Sequence, residues 1–288
     1  MKSNVVKTIR GAEHFIANTN SVVSSEFQSI LTAINGIEET ELISRYYKTI
    51  KKSPSLKSIS TDLNQMIREN LENEGWTAES FIFKDEAYQI KGRKGQPTAW
   101  QLDHVKEKIS LEVSFNHSQN IPINLIRPTL ASEQNHVEKE VDTDMAVIVC
   151  ASDNLKMAGN FDSAIASTTD WLRYLKPYSQ ILTAPLAFIE IEAPSTFFIP
   201  QGSIVKSTKK EYPINKVAQI GDQVLLGKTI SNREPEEKWI KDSQKVVIQN
   251  YSVVDGEIKI EVADMNGNKS SCFEKNKVKY NPSYFASM

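Results

Sequence analysis

The stretch LDHVKEKISLEVSF, residues 102–115, alternates apolar and polar residues on both sides of a charged turn. From Ile109 to Phe115 every second residue is apolar, and Glu112 stands between two serines. A period of two residues is the signature of a half-buried strand. The stretch therefore predicts a β-hairpin with one apolar face, and it places Asp103 on the same polar face as Glu112.

The length of the turn sets which residues of this hairpin oppose each other. A four-residue turn over 105–108 would pair Asp103 with Ser110 and make Asp103 and Glu112 diagonal neighbours, with Cα atoms about 7–8 Å apart. That is too far for direct carboxyl contact, but a metal ion with oxygen ligands could bridge the two side chains. A two-residue turn leaves the polar face unchanged: Gln101, Asp103, Ser110, Glu112 and Ser114. Spacing alone favours the simpler alternative, an ordinary solvent-exposed face.

Three polar segments near the hairpin are suited to contacts with a nucleic acid. GRKGQP precedes it and supplies cations for phosphate groups. FNHSQN follows it, with amide and imidazole side chains that can read base edges. SDNLKMAGNF comes after a buried strand, at the edge of an open sheet where ligands gather. The candidate DNA-binding residues in these segments are Lys91, Arg93, Lys94, Asn116, His117, Ser118, Ser152, Asp153, Asn154, Lys156 and Asn160.

The remaining sequence predicts an α/β core. Periodic apolar residues predict three helices between residues 12 and 76, and the continuous apolar runs at 144–152 and 184–194 predict buried strands. One further helix is expected to start near Pro128, because proline suits a first helical turn, and another to cover 162–178. Residues 152–161, which join the buried strand at 144–152 to the helix over 162–178, are predicted to form a loop.

Beyond residue 200 short strand signals replace helices, and Asp255-Gly256 predicts a hairpin turn. We expect two domains: residues 1–199, with an N-terminal helical layer, and a small β-rich domain at 200–288. The expected fold class is thus α/β with a small C-terminal all-β domain.

The composition of the 288 residues, with 40% hydrophobic and 24% charged residues, is that of a globular protein. It contains no apolar run long enough for a membrane span. Two cysteines do not form a disulfide framework, so a cytoplasmic location is expected. The net charge of −2 leans against nucleic-acid binding. Four histidines without metal-ligand spacing argue against structural zinc.

The segment LDHVKEKISLEVSFNHSQN, residues 102–120, resembles the restriction endonucleases of the PD-(D/E)xK superfamily, more narrowly those of the BglII/BstYI type. Members share an acidic residue, a Glu-x-polar strand, a helix, a hydrophobic strand with a recognition loop, and a further helix and strand. The order of elements through Pro194 follows this scheme loosely. No proline precedes Asp103, and residues 201–288 have no counterpart in the family's minimal pattern.

The resemblance implies a mixed central sheet flanked by helices, a homodimer, and Mg²⁺-dependent cleavage of double-stranded DNA at a short palindrome. Asp103 and Glu112 correspond to the metal-binding and catalytic pair. Ser114 stands where most members have lysine, so a second metal ion or the cations of GRKGQP would have to supply any positive charge that catalysis needs. The post-strand segment of Asn116, His117 and Ser118 corresponds by position to DNA-reading residues.

Other functions remain open on the sequence. The chain could be a non-catalytic DNA-binding module with an incidental acidic hairpin, or a repair-type nuclease of the same superfamily. A glycosidase using Asp103 and Glu112 would need aromatic platforms. The nearby aromatic residues, Trp100 and Phe115, are expected to face the core instead.

Overall fold

The computed structural model describes residues 1–53, 55–89, 100–133, 136–200, 217–226, 245–273 and 278–279. The chain divides into two compact units. The first contains residues 1–42, 60–153 and 162–193, and the second contains the described residues of 43–59, 154–161 and 194–288. Each unit has its own β-sheet.

The sheet of the first unit is mixed and six-stranded, in the order β1-β6-β5-β4-β3-β2. Its strands are β1 (Ser3–Ile9), β2 (Thr77–Phe81), β3 (Gln101–Val105), β4 (Ile109–Ser114), β5 (Met145–Ala151) and β6 (Leu186–Ile191). Strands β4, β5 and β6 run parallel, and the other neighbours pair antiparallel. The predicted mixed sheet is confirmed.

Seven helices belong to the described residues: α1 (Ala12–Ala17), α2 (Val22–Asn35), α3 (Glu39–Lys52), α4 (Ser60–Asn73), α5 (Ile121–Ser132), α6 (Asp153–Ala158) and α7 (Thr168–Tyr178). The three predicted N-terminal helices correspond to α2, α3 and α4. Ser21 caps α2 by accepting from the Ser24 N–H. Gly75 follows α4 with φ +83°, a left-handed conformation in which glycine is unstrained. None of the helices in the described ranges is long and apolar enough to cross a membrane.

Three sequence expectations about the elements after the hairpin were wrong. Helix α5 starts at Ile121 rather than near Pro128, because Pro122 is the proline of its first turn and Pro128 lies inside it. Residues 153–158 form α6 rather than a loop. Helix α7 begins only at Thr168, where Ser167 and Asp170 form a capping box.

Strand β1 was not anticipated from the sequence. It pairs with β6 at the edge of the sheet, with an irregularity between Val5 and Lys7. Its alternating pattern is weak because most of its side chains are not fully buried. Edge strands of this kind give little periodic signal.

The core of the first unit lies on the parallel strands. All seven residues of β5 are buried, as predicted for a central strand. Trp171 of α7 is fully buried and packs against Phe188 of β6, with ring centroids 6.2 Å apart. The tryptophan thus belongs to the core.

The second unit contains a two-stranded sheet of β7 (Phe197–Phe198) and β8 (Ala218–Gln219), and an antiparallel five-stranded sheet in the order β12-β11-β10-β9-β13. The latter strands are β9 (Gln223–Leu226), β10 (Lys245–Val254), β11 (Glu257–Asp264), β12 (Lys269–Phe273) and β13 (Val278–Lys279). Asp255 and Gly256, which join β10 to β11, have φ values of 50° and 75°. Two positive φ angles are typical of a type I′ hairpin turn, so the predicted hairpin is confirmed.

Candidate active site

The β3–β4 hairpin has a tighter turn than the four residues considered above. The Lys106 N–H donates to the Ile109 carbonyl oxygen (3.0 Å), and Val105 pairs with Ser110. The ladder ends at the pair His104–Leu111, and its register extended by one residue would set Asp103 opposite Glu112 rather than diagonal to it. The shared face predicted from the alternation holds, because a register change of two residues preserves it.

The two carboxyl groups lie close enough for each to affect the pKa of the other. The diagonal arrangement expected from a four-residue turn was therefore wrong, because Val105 and not Asp103 pairs with Ser110. Asp103 is held in place by the Val113 N–H, which donates to its Oδ2 at 3.0 Å. Glu112 has no exposed surface. The pair is a diacid on neighbouring strands, in which Glu112 is fully buried and Asp103 is partly buried.

The polar face of β4 is covered by α5. The Ser110 hydroxyl donates to the Pro128 carbonyl oxygen (2.9 Å), and the Asn124 amide donates to Ser114 Oγ (2.9 Å). Between them, Arg127 Nη2 contacts Glu112 Oε2 at 2.9 Å. All six residues of β4 are buried, so the simpler alternative of a solvent-exposed face is excluded.

Arg127 and Asn124 were missed by the sequence analysis. They lie three residues apart on one face of α5, in the otherwise mostly apolar segment IPINLIRPTL. Polar residues at that spacing on an apolar helix indicate a shared buried partner. The signal was present, but the helix start placed near Pro128 left both residues outside the expected helix.

Burial is the main influence on the pKa of both carboxyl groups. It raises the pKa of Glu112 well above the usual range, the charge of Asp103 raises it further, and Arg127 opposes both effects. Burial also raises the pKa of Asp103, against the influence of Arg127 and of the Val113 N–H. Strongly perturbed carboxyl groups of this kind are typical of functional sites.

The site offers carboxylate oxygens that are suitable ligands for a divalent cation. Glu112 Oε1 is buried, and no hydrogen-bond donor of the described residues reaches it. A buried oxygen without a donor is costly unless something else binds it. Within the described ranges no cluster of three or more His, Cys, Asp or Glu residues is suited to a metal. Two carboxylates suffice for Mg²⁺, which keeps several waters and takes further oxygens from phosphate groups.

The predicted DNA-reading segment directly follows β4 and the diacid. Asn116 and His117 are exposed, and Ser118 is partly buried. Their backbone is fixed: the Ala166 N–H donates to the Asn116 carbonyl oxygen, and the Ser118 N–H to that of Ala164. The segment therefore presents two polar side chains from a constrained main chain.

The candidate residues in the predicted second recognition loop, 152–161, differ from one another in exposure and in hydrogen-bond partners. Ser152 is buried, and the Asp153 carboxylate accepts from the hydroxyls of Ser167 and Thr169, both at 2.6 Å. Burial raises the pKa of Asp153, but these hydrogen bonds outweigh it and leave the pKa below its ordinary value. Both carboxylate oxygens of Asp153 thus accept hydrogen bonds from hydroxyl groups of this chain.

The other members of that set belong to the second unit. Asn154 is exposed and Lys156 is partly buried on α6. The Asn160 amide donates to the Lys57 carbonyl oxygen at 3.1 Å. The three cations of GRKGQP, Lys91, Arg93 and Lys94, lie outside the described residues.

Comparison with known proteins places this chain in a family. Residues 5–191 match the sequence profile described as "Restriction endonuclease BglII/BglIII". A comparison with curated proteins found no significant match.

Two solved structures resemble the fold. One is restriction endonuclease BglII complexed with a DNA 16-mer, with 14% identity and a TM-score of 0.48, covering 86% of this chain and 100% of that one. The other is free BglII, with 12% identity and a TM-score of 0.41, covering 87% of this chain and 96% of that one. Since the family profile spans well over half of the 288 residues, this protein belongs to the BglII/BglIII family of restriction endonucleases, and it is a type II site-specific deoxyribonuclease.

Proposed function

We propose that this protein hydrolyses phosphodiester bonds of double-stranded DNA at a short palindromic site, using Mg²⁺ held by Asp103 and Glu112. The observation that carries the proposal is the proximity of the two carboxyl groups, one of which keeps a buried oxygen without a hydrogen-bond donor from the described residues. A metal ion bound there would lower the pKa of a bound water and stabilise charge on the scissile phosphate.

The chain's own residues prepare the diacid for this role. The Val113 N–H fixes the Asp103 carboxylate, and Arg127 fixes Glu112 through Oε2. These contacts restrict both side chains before DNA arrives, which lowers the entropy cost of assembling the site. Binding of the cation would therefore need little rearrangement of either carboxylate.

Ser114 is the third proposed catalytic residue. Its Oγ accepts a hydrogen bond from the Asn124 amide, so the hydroxyl proton remains available to donate. A hydrogen bond between this hydroxyl and the attacking water would help to hold the water in place for attack on phosphorus. The position carries no charge, in contrast to the lysine of most superfamily members.

We propose that the post-strand segment contacts DNA. Asn116 and His117 are exposed next to the catalytic strand, and their side chains suit base edges in the major groove. We retain Ser118, Asn154, Lys156 and Asn160, together with Ser152 and Asp153, as weaker candidates. Lys91, Arg93 and Lys94 remain predicted phosphate contacts.

A palindromic site implies a two-fold symmetric enzyme, so we propose a homodimer. The proposed catalytic domain is residues 1–199, and residues 200–288 form the proposed β-rich domain. A cytoplasmic location, where DNA is accessible, is consistent with the free thiol of Cys150.

The test is incubation of unmethylated and methylated plasmid DNA with the protein and Mg²⁺, followed by sequencing of the ends. We expect discrete fragments that are lost with chelator. Asp103→Ala and Glu112→Ala should abolish cleavage while leaving DNA binding measurable, and Glu138→Ala, which removes an exposed carboxylate, should cut normally. Normal Mg²⁺-dependent cleavage by both site variants would refute the assignment. A smear of random fragments would favour a repair-type nuclease.

A further inference from the structure

Arg127 is a buried cation in direct contact with the proposed metal ligands. Its side chain is 9% exposed, and it extends from α5 across the polar face of the β3–β4 hairpin. Nη2 donates to Glu112 Oε2 at 2.9 Å, and Nη1 donates to the Gln101 carbonyl oxygen at 3.0 Å. One guanidinium thus connects the helix to both strands that carry the diacid.

We propose that Arg127 is a positioning residue with two opposed effects: it aligns Glu112 for catalysis, and as the resident counter-ion of the diacid it weakens the binding of Mg²⁺. The inference rests on the proposed metal-binding role of Asp103 and Glu112. It assigns a function to a residue that lies 15 positions beyond Glu112 and in a different element.

The alignment follows from which atoms are engaged. Arg127 binds Oε2 of Glu112, whereas Oε1 is left without a hydrogen-bond donor from the described residues. The same Nη2 donates to Asn124 Oδ1, and the Asn124 amide in turn donates to Ser114 Oγ. Glu112 and Ser114 are therefore oriented by one network on α5, and Oε1 is the oxygen presented to a cation.

The counter-ion effect follows from charge and burial. Two neighbouring carboxylates repel each other, and a buried charge without a partner is strongly destabilising. Arg127 supplies the compensating charge while no metal is bound. When a divalent cation binds Oε1, the guanidinium on the other oxygen of the same carboxylate repels it.

Removal of the Arg127 charge should therefore raise the affinity for Mg²⁺ and lower kcat. In Arg127→Met we expect Mg²⁺ to bind about tenfold more tightly, because one repelling charge is gone from a poorly solvated site. We expect kcat to fall by about tenfold or more, because Glu112 and Ser114 lose their alignment. A residue with a purely structural role would lower activity without tightening metal binding.

The experiment is isothermal titration calorimetry with Mg²⁺ alone, on the full chain, alongside cleavage rates measured over a range of Mg²⁺ concentrations. Arg127→Lys keeps the charge, so its Mg²⁺ affinity should stay within about threefold of the parent protein. Asn124→Ala keeps the charge but frees Ser114, so it should lower kcat at unchanged Mg²⁺ affinity. Arg173→Met, which removes an exposed arginine of α7, is the matched control and should change neither quantity.

Thermal melts with and without Mg²⁺ establish that each variant folds. The expected result for Arg127→Met is a larger metal-induced rise in Tm than in the parent protein. Equal or weaker Mg²⁺ binding by Arg127→Met, with an unchanged metal-induced rise in Tm, would overturn the inference. A parent protein whose Mg²⁺ binding is absent or survives Glu112→Gln would instead refute the proposed metal site, so the two failures are distinguishable.

Discussion

A buried glutamate lies at each end of the β3–β4 hairpin, and the two glutamates have different hydrogen-bond partners. At the turn, Glu26 of α2 accepts a hydrogen bond from the Lys108 N–H through Oε2, at 2.9 Å. At the other end, Glu112 contacts Arg127 at 2.9 Å, and the charge of Asp103 raises the pKa of Glu112. The first glutamate completes the backbone hydrogen bonding of a turn, whereas the second keeps an oxygen that no donor of the described residues reaches.

Burial alone therefore does not identify a functional carboxylate. Both side chains are nearly inaccessible, with 3% exposure for Glu26 and 0% for Glu112. Burial raises the pKa of both. The distinguishing features are the partners: Glu26 has a main-chain donor, as is typical of a structural role, whereas Glu112 lies beside a second carboxyl group, which is the basis of the proposed metal site.

The largest expected effect is the loss of cleavage in Glu112→Gln. The change keeps the shape of the side chain but removes the charge that would hold Mg²⁺. A metal contact is worth several kcal/mol in the transition state, so we expect the cleavage rate to fall by about 1000-fold or more. The measurement is single-turnover cleavage of a DNA duplex at saturating Mg²⁺. Activity within tenfold of the parent protein would place the catalytic carboxylate elsewhere.

The next effect is on stability and concerns the other glutamate. Glu26→Ala removes the acceptor of the Lys108 N–H, and leaving that partly buried donor without a partner costs about 1–3 kcal/mol. Chemical denaturation should report this loss, while the cleavage rate per folded molecule stays within about threefold of the parent rate. Loss of cleavage by a folded Glu26→Ala protein would contradict the division of roles.

A smaller effect is expected for the third residue of the catalytic strand. Ser114→Ala removes a neutral hydroxyl, and a hydrogen bond of that kind is worth about 0.5–1.5 kcal/mol. We expect kcat to fall by about tenfold at most, with the Mg²⁺ dependence unchanged. A loss as large as that of Glu112→Gln would give Ser114 a more direct role than orienting water.

The smallest effect is a pH dependence at Glu26. Burial raises its folded-state pKa, and the Lys108 N–H opposes this only in part. Above the ordinary pKa the folded protein then holds more protons than the unfolded chain, so this group's contribution to stability is lost as pH rises through the folded pKa. Glu26→Gln keeps an acceptor for Lys108 but cannot ionise.

Urea denaturation at several pH values tests this sign. The difference in free energy of unfolding, Glu26→Gln minus parent protein, should become more positive from about pH 4 to pH 7. A difference that falls with increasing pH would mean that the hydrogen bond outweighs burial at this site. Glu138→Gln, at an exposed position, should show little pH dependence in the same experiment.

Much of the fold was accessible from the sequence, and the reason differs from element to element. Strand β5 was predicted because a central parallel strand is apolar on both faces, and the Asp255-Gly256 turn because few residue pairs accept two positive φ angles. Helix α5 was misplaced because two prolines, Pro122 and Pro128, each satisfy the rule for a first turn. Burial of Ile121 and Leu125 in the core decides between them.

The shared face of Asp103 and Glu112 could be predicted from the alternating residues alone, because side chains alternate with a period of two whatever the turn length. Which residues of the two strands oppose each other was not predictable, since the register depends on the turn that closes the hairpin. Only the tertiary structure placed Arg127 and Asn124 over this face, because contacts between a helix and a strand depend on packing angles that no local pattern encodes.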